Sequence, residues 1–191
     1  NCKKVTTAST AFYGSGLEGF SQNTFVDSSG NIGLVALTDA RIMFASTKIT
    51  SIPLDIMYKM PKVINADGLF QGDSLLEFTL PNTFFGSNEQ PSQLKSIKGL
   101  FSGCPKVTID MNNTASLLTP ISNLQDASLL FYGCTRCTGT IPDGFFSTNT
   151  NLKTIAGCFA YTNIEGIGTS GSLLNTSGMP YLKDISGLFS N

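Results

Sequence analysis

Apolar residues recur in a fixed pattern along most of the chain. Counting from a phenylalanine as position 0, an apolar residue lies at position −7, a small or apolar residue at −4 and an apolar residue at −1. The successive phenylalanines of this pattern lie 26, 31, 30, 28 and 30 residues apart. They are Phe44, Phe70, Phe101, Phe131, Phe159 and Phe189. Self-similarity at such a period is typical of proteins built from stacked repeats.

Each repeat combines two spacings of apolar residues. Positions −7, −4, −1 and 0 follow a helical period and predict a short amphipathic helix, which a glycine after the phenylalanine (Gly72, Gly103, Gly133) would end. Beyond it, alternation of apolar and polar residues predicts a half-buried strand of about five or six residues. The alternating residues are Leu76, Phe78 and Leu80, then Val107, Ile109 and Met111, and more weakly Cys137, Gly139 and Ile141.

These units predict the overall architecture. A proline often follows the strand, and a second short turn comes next, at residues 54–58, 82–85 and 143–146. One such unit cannot bury its own apolar side, so it has to stack on its neighbours. We therefore predict a repeat solenoid over residues 1–191, with a short helix and a short strand in each coil of about 30 residues and a parallel sheet along one face.

The first 36 residues depart from this rhythm. Residues 1–6 are similar to residues 103–108, which predicts that the chain opens in the middle of a repeat. The pair Phe12-Tyr13 aligns with Phe84-Phe85, in a second, weaker motif that lies about 15 residues beyond the main phenylalanine. Residues 16–36 contain two apolar stretches around a polar, glycine-containing segment, which predicts a hairpin inserted into the first coil.

Three motifs carry a resemblance to a known family. Residues 99–104 (Gly-Leu-Phe-Ser-Gly-Cys), residues 129–134 (Leu-Leu-Phe-Tyr-Gly-Cys) and the C-terminal Leu-x-x-Ile-x-Gly-Leu-Phe resemble leucine-rich repeats of the bacterial surface protein (BspA-like) family. Repeats of that family are usually shorter, so the chain resembles a long-repeat variant, as is also seen in phage proteins. The resemblance implies a leucine-rich-repeat-like fold and extracellular display, on a cell surface or a virion, for adhesion or ligand binding.

Composition restricts the classes of function. Only 13% of the residues are charged, and 12 basic residues balance 13 acidic ones, so no basic patch for nucleic acid is predicted. No apolar run reaches the roughly 18 residues of a membrane-spanning helix, and no signal peptide opens this segment. The chain has no histidine, the commonest general base. We therefore predict a protein that is not an enzyme, needs no cofactor and does not insert into a membrane.

The five cysteines are the remaining candidates for site chemistry. Cys134 and Cys137 form a Cys-x-x-Cys motif, but no second pair and no histidine completes a zinc site, so no metal is predicted. Cys2, Cys104 and Cys134 occupy one repeat position, which favours a column of buried thiols. A disulfide between Cys104 and Cys134 is an open alternative.

The outward side of the predicted strands is the candidate binding surface. Polar side chains on adjacent strands of a rigid parallel sheet form a row, and solenoids build extended binding surfaces in this way. The alternative is that threonine simply suits an exposed strand. The candidate residues, for a protein or glycan ligand on another cell or host, are Lys48, Thr50, Glu77, Thr79, Lys106, Thr108, Asp110, Arg136, Thr138, Thr140 and Glu165.

The two ends of the chain suggest a second kind of partner. A solenoid normally ends in polar caps, and neither terminus has the composition of one. Two hypotheses follow: the segment is part of a longer solenoid, or copies stack head to tail through open ends. The second hypothesis matches an alternative function, a structural spacer or assembly element of a phage appendage or surface fibre.

Overall fold

The computed structural model describes residues 2–20, 24–25, 33–86, 92–170, 172–174 and 178–191. Within these ranges three strands form one sheet: β1 is Ile109–Asp110, β2 is Cys137–Ile141 and β3 is Asn163–Ile167. The same residues contain two short 3-10 helices, Met111–Asn113 and Thr119–Ile121, and no α-helix. None of them forms a helix with the length and apolar character needed to cross a bilayer.

The phenylalanines of the repeat pattern stack into one continuous column. Neighbouring ring centroids along the column lie 5.4–6.4 Å apart, and most ring pairs are within 11° of parallel. The interior rings are fully or almost fully buried. The prediction that Phe70, Phe101, Phe131 and Phe159 lie one above the next is therefore confirmed. In order, the column consists of Phe12, Phe44, Phe70, Phe101, Phe131, Phe159 and Phe189.

Phe12 is a member of this column, so its alignment with Phe84 was wrong. Its ring lies 5.4 Å from that of Phe44 at an angle of 6°. Val5, Ala8 and Ala11 then take positions −7, −4 and −1 of the first repeat. The helical-spacing motif was hard to see there because two of its apolar positions are alanine. The second-motif phenylalanines instead pack against the side of the column, as Phe84 does on Phe101 with centroids 5.4 Å apart.

The segment that precedes and includes each column phenylalanine is not the predicted helix. Alternate N–H groups donate to carbonyls of the following repeat, at 2.7–3.1 Å in the pairs Ile97 to Asp126, Gly99 to Ser128, Phe101 to Leu130 and Gly103 to Tyr132. Of the N–H groups between them, Leu100 donates to Ile97 and Ser102 to Gly99, three residues back, while Lys98 donates to the Asp67 carboxylate of the preceding repeat. An α-helix would keep these N–H groups in its own i to i−4 bonds. Stacking therefore replaces the helix with a run of tight turns.

The backbone of this turn run explains why a helical spacing could arise without a helix. Positions −2 and +2 have a left-handed backbone, with φ of +55 to +76°, in every repeat where the structure gives the value. A left-handed residue ends α-helical winding, and glycine adopts this conformation with the least strain. Gly103 and its equivalents are therefore parts of the repeating turn and not helix stops.

Position −5 marks the start of each turn run and pairs with the same position of the next repeat. Parallel bridges link Thr7, Asp39, Asn65, Ser96, Asp126, Thr154 and Asp184 in order. The side chain at this position often accepts a hydrogen bond from the N–H two residues on, as Asp184 does from Ser186 at 2.9 Å. The aspartates that recur here thus fix a turn instead of capping a helix.

The strands lie on the opposite arc of each repeat and pair in parallel. Ile109 aligns with Cys137, and Thr138 aligns with Asn163. The prediction was right for Cys137–Ile141, while only Ile109–Asp110 of the second predicted strand is extended and Met111 begins a 3-10 helix. Residues 76–80 contribute one bridge, between Thr79 and Thr108. Asn163–Ile167 was missed because its alternation is weak, with no residue fully buried.

Most of the hairpin predicted within residues 16–36 lies outside the described residues. Of its described parts, Phe20 packs on Phe44 with ring centroids 4.9 Å apart. Lys48 and Thr50 donate backbone hydrogen bonds to Leu17 and Glu18, at 2.9 and 3.0 Å. Residues 17–20 therefore lie beside the second repeat at the edge of the strand arc.

The Phe101→Ala substitution tests the column. The Phe101 ring is fully buried and contacts four other phenylalanine rings, so its loss should lower the free energy of unfolding by about 3–5 kcal/mol. Phe12→Ala is the matched control, since that ring is 40% exposed and should cost less than half as much. Equilibrium urea denaturation measures both, and equal losses would contradict the buried column.

Candidate functional site

The candidate strand face is a set of neighbouring rows, one from each repeat. Thr79 pairs with Thr108, and Asp110 pairs with Thr138 across the next interface. Thr140 aligns with Gly166, and Glu165 is the extra residue of a bulge in β3 just before it. The apolar residues that alternate with these, such as Cys137 and Ile141, are buried against the core. The extended backbone therefore holds the polar side chains on the outer side of the sheet.

Exposure differs among the predicted site residues. Those with half-buried side chains are Lys106, Thr108, Asp110 and Thr140, and those that are exposed are Lys48, Thr50, Glu77, Thr79, Arg136, Thr138 and Glu165. The half-buried set lies in the two central rows, and Lys48 and Glu165 lie toward opposite ends of the arc.

A charged pair ties three repeats together on this face. The Arg136 Nη1 group lies 2.7 Å from Glu77 Oε1 and 3.3 Å from the carbonyl oxygen of Lys106 in the intervening repeat. This hydrogen bond lowers the pKa of the Glu77 carboxyl from its usual range. Exposed ion pairs contribute little stability, but this one fixes the direction of two long side chains. No sequence pattern predicts this pair, because 59 residues separate the partners.

Asp110 is committed to local structure and not free for a ligand. Its carboxylate accepts hydrogen bonds from the Asn112 N–H at 3.1 Å and side-chain amide at 3.0 Å, and from the Asn113 amide at 2.5 Å. Asn112 in turn accepts from the Thr140 N–H at 3.2 Å, and its amide lies against Gly139. A Cβ at residue 139 would lie 2.5 Å from that amide nitrogen, so only glycine fits there. Asn112 is thus a surface residue of this face that the alternation pattern did not identify.

Four of the five cysteines are buried in the core. All five are free thiols, and Cys104, Cys134, Cys137 and Cys158 are buried. Burial raises the pKa of Cys134 and Cys137 to about 12, and the pKa of Cys104 and Cys158 also rises. Thiols with such pKa values are poor nucleophiles at neutral pH. Within the described ranges, no group of three or more acidic, cysteine or histidine residues is placed to hold a metal ion.

Two of these thiols have a structural role beside the column. The Cys104 and Cys134 Sγ atoms donate to the carbonyl oxygens of Phe70 and Phe101 in the preceding repeats, at 3.0 and 3.1 Å. The alternative of a disulfide between them is not realised in the structure. The thiols provide partners for backbone carbonyls inside the core, where an unpaired polar group is unfavourable.

Asp73 occupies the same repeat position as Cys104 and is fully buried. Its Oδ1 atom accepts from the N–H and the hydroxyl of Thr47, at 2.7 and 3.0 Å. Its Oδ2 atom has no hydrogen-bond partner among the described residues. Burial raises the pKa of this carboxyl to about 6, although the bonds from Thr47 oppose the rise. The group therefore titrates near neutral pH inside the core.

A further concave region lies on the turn side of the repeats, away from the strand face. This turn-face groove has a volume of about 510 Å³ and is formed by four successive repeats. Its aromatic members, Tyr132 and Tyr161, are 37% and 50% exposed and contact each other with ring centroids 5.1 Å apart. The sequence analysis did not select these residues, because it expected a helix there. The exposed tyrosines beside the column phenylalanines were the available signal.

The arrangement defines a class: a chain of repeats stacked in parallel, with a parallel sheet on one side. No family model and no curated protein matches the chain. A search of solved structures finds similarity to human 5T4 (Wnt-activated inhibitory factor 1, trophoblast glycoprotein), a leucine-rich-repeat protein, with a TM-score of 0.38 and 12% identity. The match covers 90% of this chain and 66% of that one. A likeness at this level neither assigns a family nor transfers a function.

The buried carboxyl predicts how stability depends on pH. The pKa of Asp73 is about 6 in the folded chain, against 3.8 for an unperturbed aspartate, so the folded state binds the proton more tightly. Ionisation of the buried carboxyl destabilises the folded state. This effect is absent at pH values below the pKa of the unfolded chain and complete at pH values above the pKa of the folded chain. Stability should fall by about 2–3 kcal/mol as the pH rises from 4 to 7, and Asp73→Asn should remove this fall. Urea denaturation at several pH values measures it.

Asp184→Asn provides the control for this prediction. That carboxyl is exposed, and its hydrogen bond to Ser186 lowers its pKa, which is the opposite direction. The fall in stability between pH 4 and 7 should persist in this variant. A fall that also persists in Asp73→Asn would show that Asp73 is not its source.

Proposed function

We propose that this protein is a non-enzymatic recognition or adhesion module, a leucine-rich-repeat-like solenoid of the BspA-like kind displayed on a cell surface or virion. Its ligand is a protein or glycan of another cell or host, bound along the strand face. The observation that carries the proposal is the parallel register of Thr79 with Thr108 and of Asp110 with Thr138. This register aligns outward polar side chains across successive repeats, which is how solenoids present extended binding surfaces.

Two features of the face support recognition over a purely structural role. The Arg136 guanidinium is anchored by Glu77 and by the Lys106 carbonyl, so the ordering of this long side chain precedes binding. Thr138 is exposed beside it, on a strand paired on both sides. Arginine and hydroxyl groups held on a rigid sheet provide directional donors to a polar ligand.

A charge-reversal variant tests the strand face. Replacing Thr108, Arg136 and Thr138 by glutamate should weaken binding at least about tenfold. The variant crowds three negative charges onto the face, and these oppose a ligand that fits the native groups. The probe is an array of immobilised glycans and extracellular protein domains, first screened with the native chain. The melting temperature is measured alongside.

The matched control changes the charge equally at exposed positions off the strand face, with Lys62, Ser74 and Ser122 replaced by glutamate. It should bind as the native chain does. Equal binding by the native chain and both variants, or no ligand on the array, would count against recognition through this face.

A second candidate function is a structural spacer or assembly element, and the continuous stacking of turn runs and phenylalanine rings from repeat to repeat favours it. Phe12 and Phe189 each stack on one neighbouring ring and are each 40% exposed. Ile185 beside Phe189 is 51% exposed. A further repeat, from the same polypeptide or from another copy, would cover these apolar groups and extend the stack.

The assembly candidate predicts concentration-dependent association. Sedimentation velocity of the chain over a wide concentration range should detect end-to-end association, and Phe189→Asp should abolish it by placing a charge on the stacking surface. Leu54→Asp, at a 50% exposed site away from both ends, should have no such effect. A native chain that stays monomeric at all concentrations would exclude this function for the segment.

A further inference from the structure

The turn-face groove is a candidate site separate from the strand face. Successive repeats contribute residues at the same turn positions, so the groove runs across the repeats as an open channel instead of a closed pit. Its lining includes Lys98 at one end, Asp184 and Ser186 at the other, and Leu129 and Tyr132 between them. Because every contributing repeat is hydrogen-bonded to the next, the channel is formed by rigid backbone.

Two residues of the groove adopt a backbone conformation that opposes their side chains. Leu129 and Tyr161 have φ of +56°, at turn positions where most other repeats have glycine. Bulky residues are rare in this region of φ because their Cβ atoms crowd the backbone. Thr10, Ile42 and Ser46 have the same backbone in other repeats, so the conformation belongs to the turn, and in the groove it sets where the Leu129 and Tyr161 side chains lie. Both strained side chains line the same groove.

The floor of the groove is fitted around Leu129. Its Cδ2 atom lies 2.7 Å from the place where a Cβ would stand at Gly157 in the next repeat. A side chain at residue 157 would therefore displace Leu129. Because residue 157 has no side chain and Leu129 has a bulky one, the groove has a shallow apolar floor. The exposed rings of Tyr132 and Tyr161 adjoin it.

The polar groups around this floor are oriented by the backbone. The Oδ1 atom of Asp126 accepts from the N–H and hydroxyl of Ser128, at 2.8 and 2.6 Å. The Oδ1 atom of Asp184 accepts from the Ser186 N–H at 2.9 Å. In the described part of the chain, no hydrogen bond occupies the Oδ2 atom of either carboxylate. Two oriented acceptors thus stand beside two tyrosine rings in one open channel.

We propose that the turn-face groove binds a neutral, extended oligosaccharide. Tyrosine rings offer apolar faces to the C–H faces of sugar rings, while carboxylate oxygens accept hydrogen bonds from sugar hydroxyls. The groove is lined by two carboxylates and one lysine, and this excess of negative charge disfavours an anionic glycan. The lack of a deep apolar pocket disfavours a small hydrophobic ligand. The open ends of the channel suit a chain longer than the groove.

Direct titration with defined sugars tests this proposal. The probes are three neutral hexasaccharides, cellohexaose, maltohexaose and chitohexaose, added to the whole chain and followed by saturation-transfer NMR. At least one should bind, and Tyr132→Ala and Tyr161→Gly should each weaken it at least about tenfold by removing one ring of the platform. Tyr161→Gly restores the residue of equivalent repeats, so it should not lower the melting temperature. Tyr58→Ala, at a 49% exposed tyrosine outside the groove, is the matched control and should bind normally.

The other outcomes are decisive as well. Failure of all three sugars to bind, or binding that both groove variants leave unchanged, would overturn the proposal. Binding of a proline-rich decapeptide through the same tyrosines, without sugar binding, would replace the sugar by a peptide and also overturn it. Sugar binding lost only in the strand-face triple variant would assign the sugar to that face. Loss of sugar binding only in the groove variants would support sugar binding in the groove, whether or not the strand-face proposal holds.

Discussion

Hydrogen bonding between turn runs of successive repeats is the constraint on which the rest of the structure depends. In each turn run, N–H groups that bond within the run alternate with N–H groups that need carbonyls of the next repeat. A single repeat would leave these groups without protein partners, so repeats are stable only together. The same contact brings each phenylalanine ring onto the next, at the spacing seen between Phe70 and Phe101. Backbone pairing and aromatic packing thus impose one common register.

This register produces two surfaces with different chemistry from one stack. On the strand arc, extended backbone aligns polar side chains such as Thr108 and Thr138, and a charged pair spans three repeats. On the turn side, left-handed residues keep the backbone close to the surface and leave a channel bordered by Tyr132 and Tyr161. The thiols with raised pKa values lie in the core, away from both surfaces.

The sequence predicted what depends on periodicity and missed what depends on the conformation of single residues. The column from Phe44 to Phe189 and the strand at Cys137–Ile141 follow from spacing alone. The helix was wrong because a spacing of three and four residues also fits a run of turns. Glycines on both sides of the phenylalanine, as at Gly99 and Gly103, were the overlooked signal, since glycine is unfavourable inside a helix.

The same reason limited the prediction of sites. The candidate strand-face residues were chosen by alternation, which cannot detect that Asp110 is bound by Asn112 or that Glu77 meets Arg136 from two repeats away. The turn-face channel was not predicted at all, and the alternating turn that forms it has an electrostatic consequence. In each turn run that another repeat follows, four N–H groups point toward the C-terminal side of the stack and at most two, as at Gln125 and Asp126, point the other way. Peptide dipoles aligned in this way add along the stack axis. The C-terminal end of the array therefore carries partial positive charge and the N-terminal end partial negative charge, the reverse of an α-helix.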